Sequence, residues 1–121
     1  KASYGLLGTT FGGNHLACAA AVAVLDVMKQ DDLLTNASTV GAYLIDELKK
    51  FDKVQEVRGR GLMIGIELPT ELASVKKDLL IKNRIFTGEA KPNVIRILPA
   101  LNITKEIADQ FLTALDERLK G

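Results

Sequence analysis

The sequence predicts an α+β domain, a small, mostly antiparallel sheet with helices on one face. Three observations lead there. Apolar residues recur at helical spacing near both ends of the chain. The period drops to two around Leu62, Ile64, Ile66 and Leu68. The element order, two helices, two strands, a helix, a strand and a helix, leaves few residues for the crossovers a parallel sheet needs. A chain of 121 residues is the size of one domain and buries roughly two thirds of its unfolded surface.

Asn14 has the chemistry of an N-cap, and Leu16, Ala19, Ala20, Ala23, Val24, Val27 and Met28 follow at helical spacing, predicting a helix over 15–29. Its other faces are also small and apolar, so it is expected to be covered on more than one side. A second helix is predicted over 37–51 from Val40, Leu44, Leu48 and Phe51, with Asn36 or Ser38 as its cap. Val54 and Val57 then lead into Arg58-Gly59-Arg60-Gly61, and two short strands joined or bent at the glycines are expected. Pro69 and Thr70 open a third helix with Leu72, Val75, Leu79 and Leu80; Ile85-Phe86 reads as a short strand and 87–92 as a loop. Val94 to Leu98 is a strand closed by Pro99, and Thr104 caps a last helix whose stripe is Ile107, Phe111, Leu115 and Leu119.

Composition excludes several functions. Sixteen basic and fifteen acidic residues give a net charge of +1, too little for a general field toward nucleic acid or an anionic membrane. The longest apolar run, Leu16 to Leu25, is too short to span a bilayer and lacks the flanks of a signal peptide. The single cysteine, Cys18, reads as a small buried thiol in a reducing, cytoplasmic setting. With one histidine, His15, no metal site is predicted, and no serine lies in a nucleophile context. Gly59, Gly61 and Gly65 do not match the dinucleotide-binding spacing, and a strand follows them.

Two features point to anions. In Val94-Ile95-Arg96-Ile97-Leu98, alternation puts Arg96 on the face of Val94 and Leu98, a guanidinium in an apolar strand. Its planar fork matches a ligand carboxylate; pairing with Glu67 or another internal acid, or exposure on an edge strand, is the alternative. In GLLGTTFGGNH, Thr9 and Thr10 offer hydroxyls, Gly12 and Gly13 allow close backbone approach, and a helix start follows. That set suits a phosphate, and a plain turn before an N-cap is the alternative.

Three motifs in register, GTTFGGNHLACAAAVAVL, RGRGLMIGIEL and NVIRILPALNIT, resemble the C-terminal portion of class III (ornithine-type) pyridoxal-phosphate aminotransferases. The resemblance runs over essentially all of the chain. It implies the small C-terminal domain of a fold-type I aminotransferase over 14–121, with residues 1–13 as the tail of the large domain and its phosphate loop. It implies pyridoxal 5'-phosphate as cofactor and a homodimer in which Thr10, with Thr9 beside it, bonds the cofactor phosphate of the other subunit. Arg96 would bind the α-carboxylate of the amino or keto acid, glutamate and 2-oxoglutarate in particular. The implied reaction moves the terminal amino group of N-acetylornithine to 2-oxoglutarate; ornithine, succinylornithine and 4-aminobutyrate are rival donors, and a free-standing carboxylate-binding module is the rival outside enzymes. His15 departs from the proline most relatives carry there. The lysine that holds the cofactor, the acid at its ring nitrogen and the stacked aromatic belong to upstream family segments, so no catalytic residue is expected among these residues, and none of the eleven lysines stands in for the missing one.

Overall fold

The computed structural model describes residues 8–120. The expected large-domain tail therefore falls partly, over 1–7, outside the described residues. The chain forms two compact units that meet in sequence at Leu33 and Leu34.

In the first unit a turn over residues 10–13 leads into α1, His15–Gln30. Asn14 caps it as the sequence predicts: its side-chain oxygen accepts from the Ala17 amide at 2.9 Å, satisfying one of the first-turn donors. The same side chain donates to the Phe11 carbonyl at 2.7 Å and so fastens turn to helix. No residue of α1 is buried, and Cys18, expected inside, is exposed.

The second unit holds the sheet and the core. Helix α2 spans Leu33–Leu48, strands β1 and β2 span Glu56–Arg60 and Met63–Glu67, and α3 spans Val75–Asn83. Strands β3, Gly88–Lys91, and β4, Val94–Ile97, precede α4, Lys105–Lys120. The sheet order is β1-β2-β4-β3, every neighbouring pair antiparallel. Ile64 and Ile66 of β2 and Ile95 and Ile97 of β4 pack with Val40, Leu44 and Leu48 of α2, Val75 and Leu79 of α3, and Leu112 and Leu115 of α4. Each such fully buried aliphatic side chain contributes about 1.5–3 kcal/mol. The predicted α+β class, with helices on one face, is the observed one.

Four local expectations are corrected. Helix α2 begins at Leu33, earlier than expected, and neither Asn36 nor Ser38 caps it. Asn36 instead donates to the carbonyls of Leu101 and Ile103 at 2.7 and 3.0 Å, satisfying the loop before α4. The third helix is broken, with a 3₁₀ turn over Thr70–Leu72 before α3. Ile85-Phe86 is no strand; β3 lies inside the expected loop instead, where pairing with β4 overrides a glycine- and lysine-bearing sequence of poor strand propensity. On α4 the buried stripe is turned toward Ala108, Leu112, Leu115 and Leu119, with Ile107 exposed and Phe111 half-buried. Thr104 does cap it, accepting from the Ile107 amide at 3.4 Å.

Helices α2 and α4 are tied by the Tyr43 hydroxyl, which donates to Asp109. That bond, first among its causes, pushes the phenol pKa up to about 12. No helix among the described residues is long and apolar enough to cross a membrane.

Candidate functional site

Strand β4 is central in the sheet, and its alternation divides its side chains. Ile95 and Ile97 enter the core, while Arg96 and Leu98 stand exposed. The expectation of a guanidinium enclosed in an apolar strand is thus corrected: Arg96 lies on the sheet's open face. It is not an edge residue either, since β2 and β3 flank it.

The acid weighed as its partner is engaged elsewhere. Arg58 Nη1 donates to Glu67 Oε2 and to Glu56 Oε2, each at 2.7 Å. The bond to Glu67 first, and the charge of Glu56 next, raise the Arg58 pKa above the ordinary arginine value. Arg96 has no ion-pair or hydrogen-bond partner among the described residues.

A cleft of roughly 400 Å³ opens beside Arg96. Its walls come from Phe86, Leu98, Pro99, Ile103, Ile107 and Phe111, and Arg96 is the one charged lining residue among the described residues. A second cleft shares Phe86, Thr87, Gly88 and Arg96 and adds Lys76, Lys77 and Leu80 from α3. Apolar walls lower the local dielectric and strengthen a charge pair formed there. An unpaired planar fork beside the first cleft can grip a carboxylate by two parallel hydrogen bonds.

Thr9 and Thr10 lie in the first unit, both exposed; the Thr9 carbonyl accepts from the Gly12 amide at 3.3 Å, and neither hydroxyl has a partner among the described residues. The glycines have separate reasons. A Cβ on Gly12 would stand 2.2 Å from Thr9 Cγ2, so a larger residue there would turn the exposed Thr9 side chain out of its position; Gly13 has φ +74°, the left-handed region. Two free hydroxyls and the open amides of a helix start fit a phosphate group.

Sequence reasoning picked Arg96, Thr9 and Thr10 but missed Phe86, Thr87 and Gly88, which border both clefts. Thr87 Oγ1 is buried with no hydrogen-bond partner among the described residues. A plain two-residue return from Lys91 to Val94 would set Glu89 opposite Arg96; the bulge between Glu89 and Lys91 shifts the register so that Gly88 faces it, and no sequence signal marked that bulge.

Known proteins share this fold and much of this sequence. The chain is 41% identical over 109 residues, 87% of its length, to the acetylornithine aminotransferase of Nitrosomonas europaea. It is 43% identical over 111 residues, 90% of its length, to an ornithine aminotransferase of an Exiguobacterium strain. It spans 28% of the length of each of these relatives. The solved ornithine aminotransferase of Toxoplasma gondii, described with partial occupancy of PLP at its active site, superposes with a TM-score of 0.79 at 34% identity. That match covers 96% of this chain and 29% of the solved one. Matched over residues 1–119 by the family profile Aminotransferase class-III, the chain belongs to the class-III aminotransferases, a family dependent on pyridoxal phosphate.

Proposed function

We propose that this chain supplies the carboxylate-binding arginine and a cofactor-phosphate contact to an aminotransferase that moves the terminal amino group of N-acetylornithine to 2-oxoglutarate, in cytoplasmic arginine biosynthesis. The observation that carries this reading is Arg96, a guanidinium with no ion-pair partner among the described residues, beside an apolar cleft. Its fork orients the substrate through the α-carboxylate, and a fixed carboxylate brings the rest of the molecule to one position. Thr10, with Thr9 beside it, holds the phosphate of pyridoxal phosphate bound in the partner subunit of a homodimer. When bound, that cofactor supplies the electron sink for amino-group transfer. No lysine is buried among the described residues, in keeping with the reading that residues 1–121 alone are inactive.

The names of the relatives support both N-acetylornithine and ornithine as donors. Assaying the protein as its gene encodes it against N-acetylornithine, ornithine, N-succinylornithine and 4-aminobutyrate, with 2-oxoglutarate as acceptor, separates them. Highest kcat/KM with N-acetylornithine is the expected result; a clear preference for another amine reassigns the donor, and no transfer from any of them defeats the reading.

Replacing Thr10 with valine keeps the shape of the loop and removes a hydroxyl. A hydrogen bond to a charged group contributes about 1.5–3 kcal/mol, so cofactor affinity is expected to fall by about tenfold or more. Equilibrium titration of the intact protein with pyridoxal phosphate measures this, and an unchanged dissociation constant removes Thr10 from the phosphate contact.

A further inference from the structure

The register of the sheet sets Arg96 between two glycines. Gly65 of β2 is its cross-strand partner on one side and Gly88 of β3 on the other, while Arg58 pairs with Gly65 one strand further. Two arginines thus alternate with two glycines along one row of the open face. Side chains directly opposite in an antiparallel pair normally touch, and here they cannot.

The two glycines differ in what they make room for. A Cβ on Gly65 would lie 3.7 Å from Arg58 Cγ, an ordinary contact. A Cβ on Gly88 would lie 3.0 Å from Arg96 Nε and 3.4 Å from Nη2, with the Arg96 carbonyl oxygen at 3.2 Å. The guanidinium therefore lies across the bare backbone of Gly88, closer than ordinary contact to where any other residue has its first side-chain carbon. Gly88 also borders both clefts that open beside Arg96.

We propose that Gly88 is a positioning residue for substrate carboxylate recognition: its missing side chain is the shelf on which the Arg96 fork lies flat, aimed at the clefts. The proposal deepens the carboxylate-binding reading of Arg96 and rests on it. An added Cβ shifts the fork by a few tenths of an ångström, and two-pronged recognition depends on the plane as well as the charge.

The test is steady-state kinetics of the intact, cofactor-loaded protein with 2-oxoglutarate as the varied acceptor. Gly88→Ala is expected to raise KM for 2-oxoglutarate by about tenfold, in line with the cost of small misplacements in a positioned complex. Most of kcat at saturation is retained. Gly65→Ala, in the same row but clear of Arg96, leaves KM unchanged. In an Arg96→Ala background, Gly88→Ala adds no further rise, because the group it displaces is gone.

An unchanged KM in Gly88→Ala beside an impaired Arg96→Ala protein overturns the role of Gly88 alone; so does a Gly88 effect that persists undiminished in the Arg96→Ala background. A silent Arg96→Ala protein overturns the carboxylate reading itself. Should Gly88→Ala fail to fold, the double variant decides: recovery of helical circular dichroism on removing the Arg96 side chain supports the contact, and continued unfolding rejects it.

Discussion

Replacing Gly41 with alanine is expected to destabilise the fold by about 1–2 kcal/mol net, although alanine is the better helix former. Gly41 is buried on α2, and a Cβ there would stand 2.2 Å from the carbonyl oxygen of Gly61 and 2.8 Å from its Cα. Helix and hairpin turn meet backbone to backbone at this point. Gly61 has φ +55°, so the turn sits in a conformation that resists adjustment. Helix propensity favours alanine by about 1 kcal/mol, whereas forcing a carbon into a filled contact costs about 1–3 kcal/mol and occasionally more. With no flexible side chain to yield, the upper part of that range applies and the clash wins. Urea unfolding followed by circular dichroism measures the effect as a lower midpoint with an unchanged slope. A midpoint equal to wild type contradicts the close approach of α2 to the β1–β2 turn.

Replacing Arg96 with alanine is expected to lower kcat/KM for 2-oxoglutarate by roughly 10²–10⁴ while leaving the fold intact. Two charge-assisted hydrogen bonds at about 1.5–3 kcal/mol each account for that range. Little opposes it, because Arg96 has no ion-pair partner among the described residues whose charge would be stranded. Lysine at the same position keeps a charge and loses the fork, so it recovers only part of the activity. Kinetics of the three proteins, alongside their thermal midpoints, separate recognition from folding. Equal kcat/KM in all three removes Arg96 from the substrate site.

The elements legible in the sequence are those whose signals are local. The Asn14 and Thr104 caps work as read, because each is a hydrogen bond three residues long. The alternation of Ile64 and Ile66 marks the core face of β2 directly. The misread elements depend on distant partners. Asn36 looks like a cap, but loop carbonyls 65 and 67 residues away claim its amide. Strand β3 has no strand-like composition and exists through its pairing with β4.

The site divides in the same way. Residue type alone singled out Arg96, since a cation within an apolar strand calls for a partner. Which partner was not legible: Glu67 lies nearby in the sheet, and only the structure gives it to Arg58. Gly88 reads in sequence as an ordinary turn glycine, and its relation to Arg96 emerges from register. The first-unit turn was legible because its signals are local: Gly12 faces Thr9 three residues back, and Gly13 takes a left-handed φ.

The most direct measurement of the central claim is calorimetric titration of the intact protein with glutarate, a dicarboxylate of matching length with no keto group to react. Saturable binding that weakens by about a hundredfold in the Arg96→Ala protein is the expected result. Binding of equal strength in both proteins, or none in the wild type, contradicts the assignment of Arg96 as the carboxylate receptor.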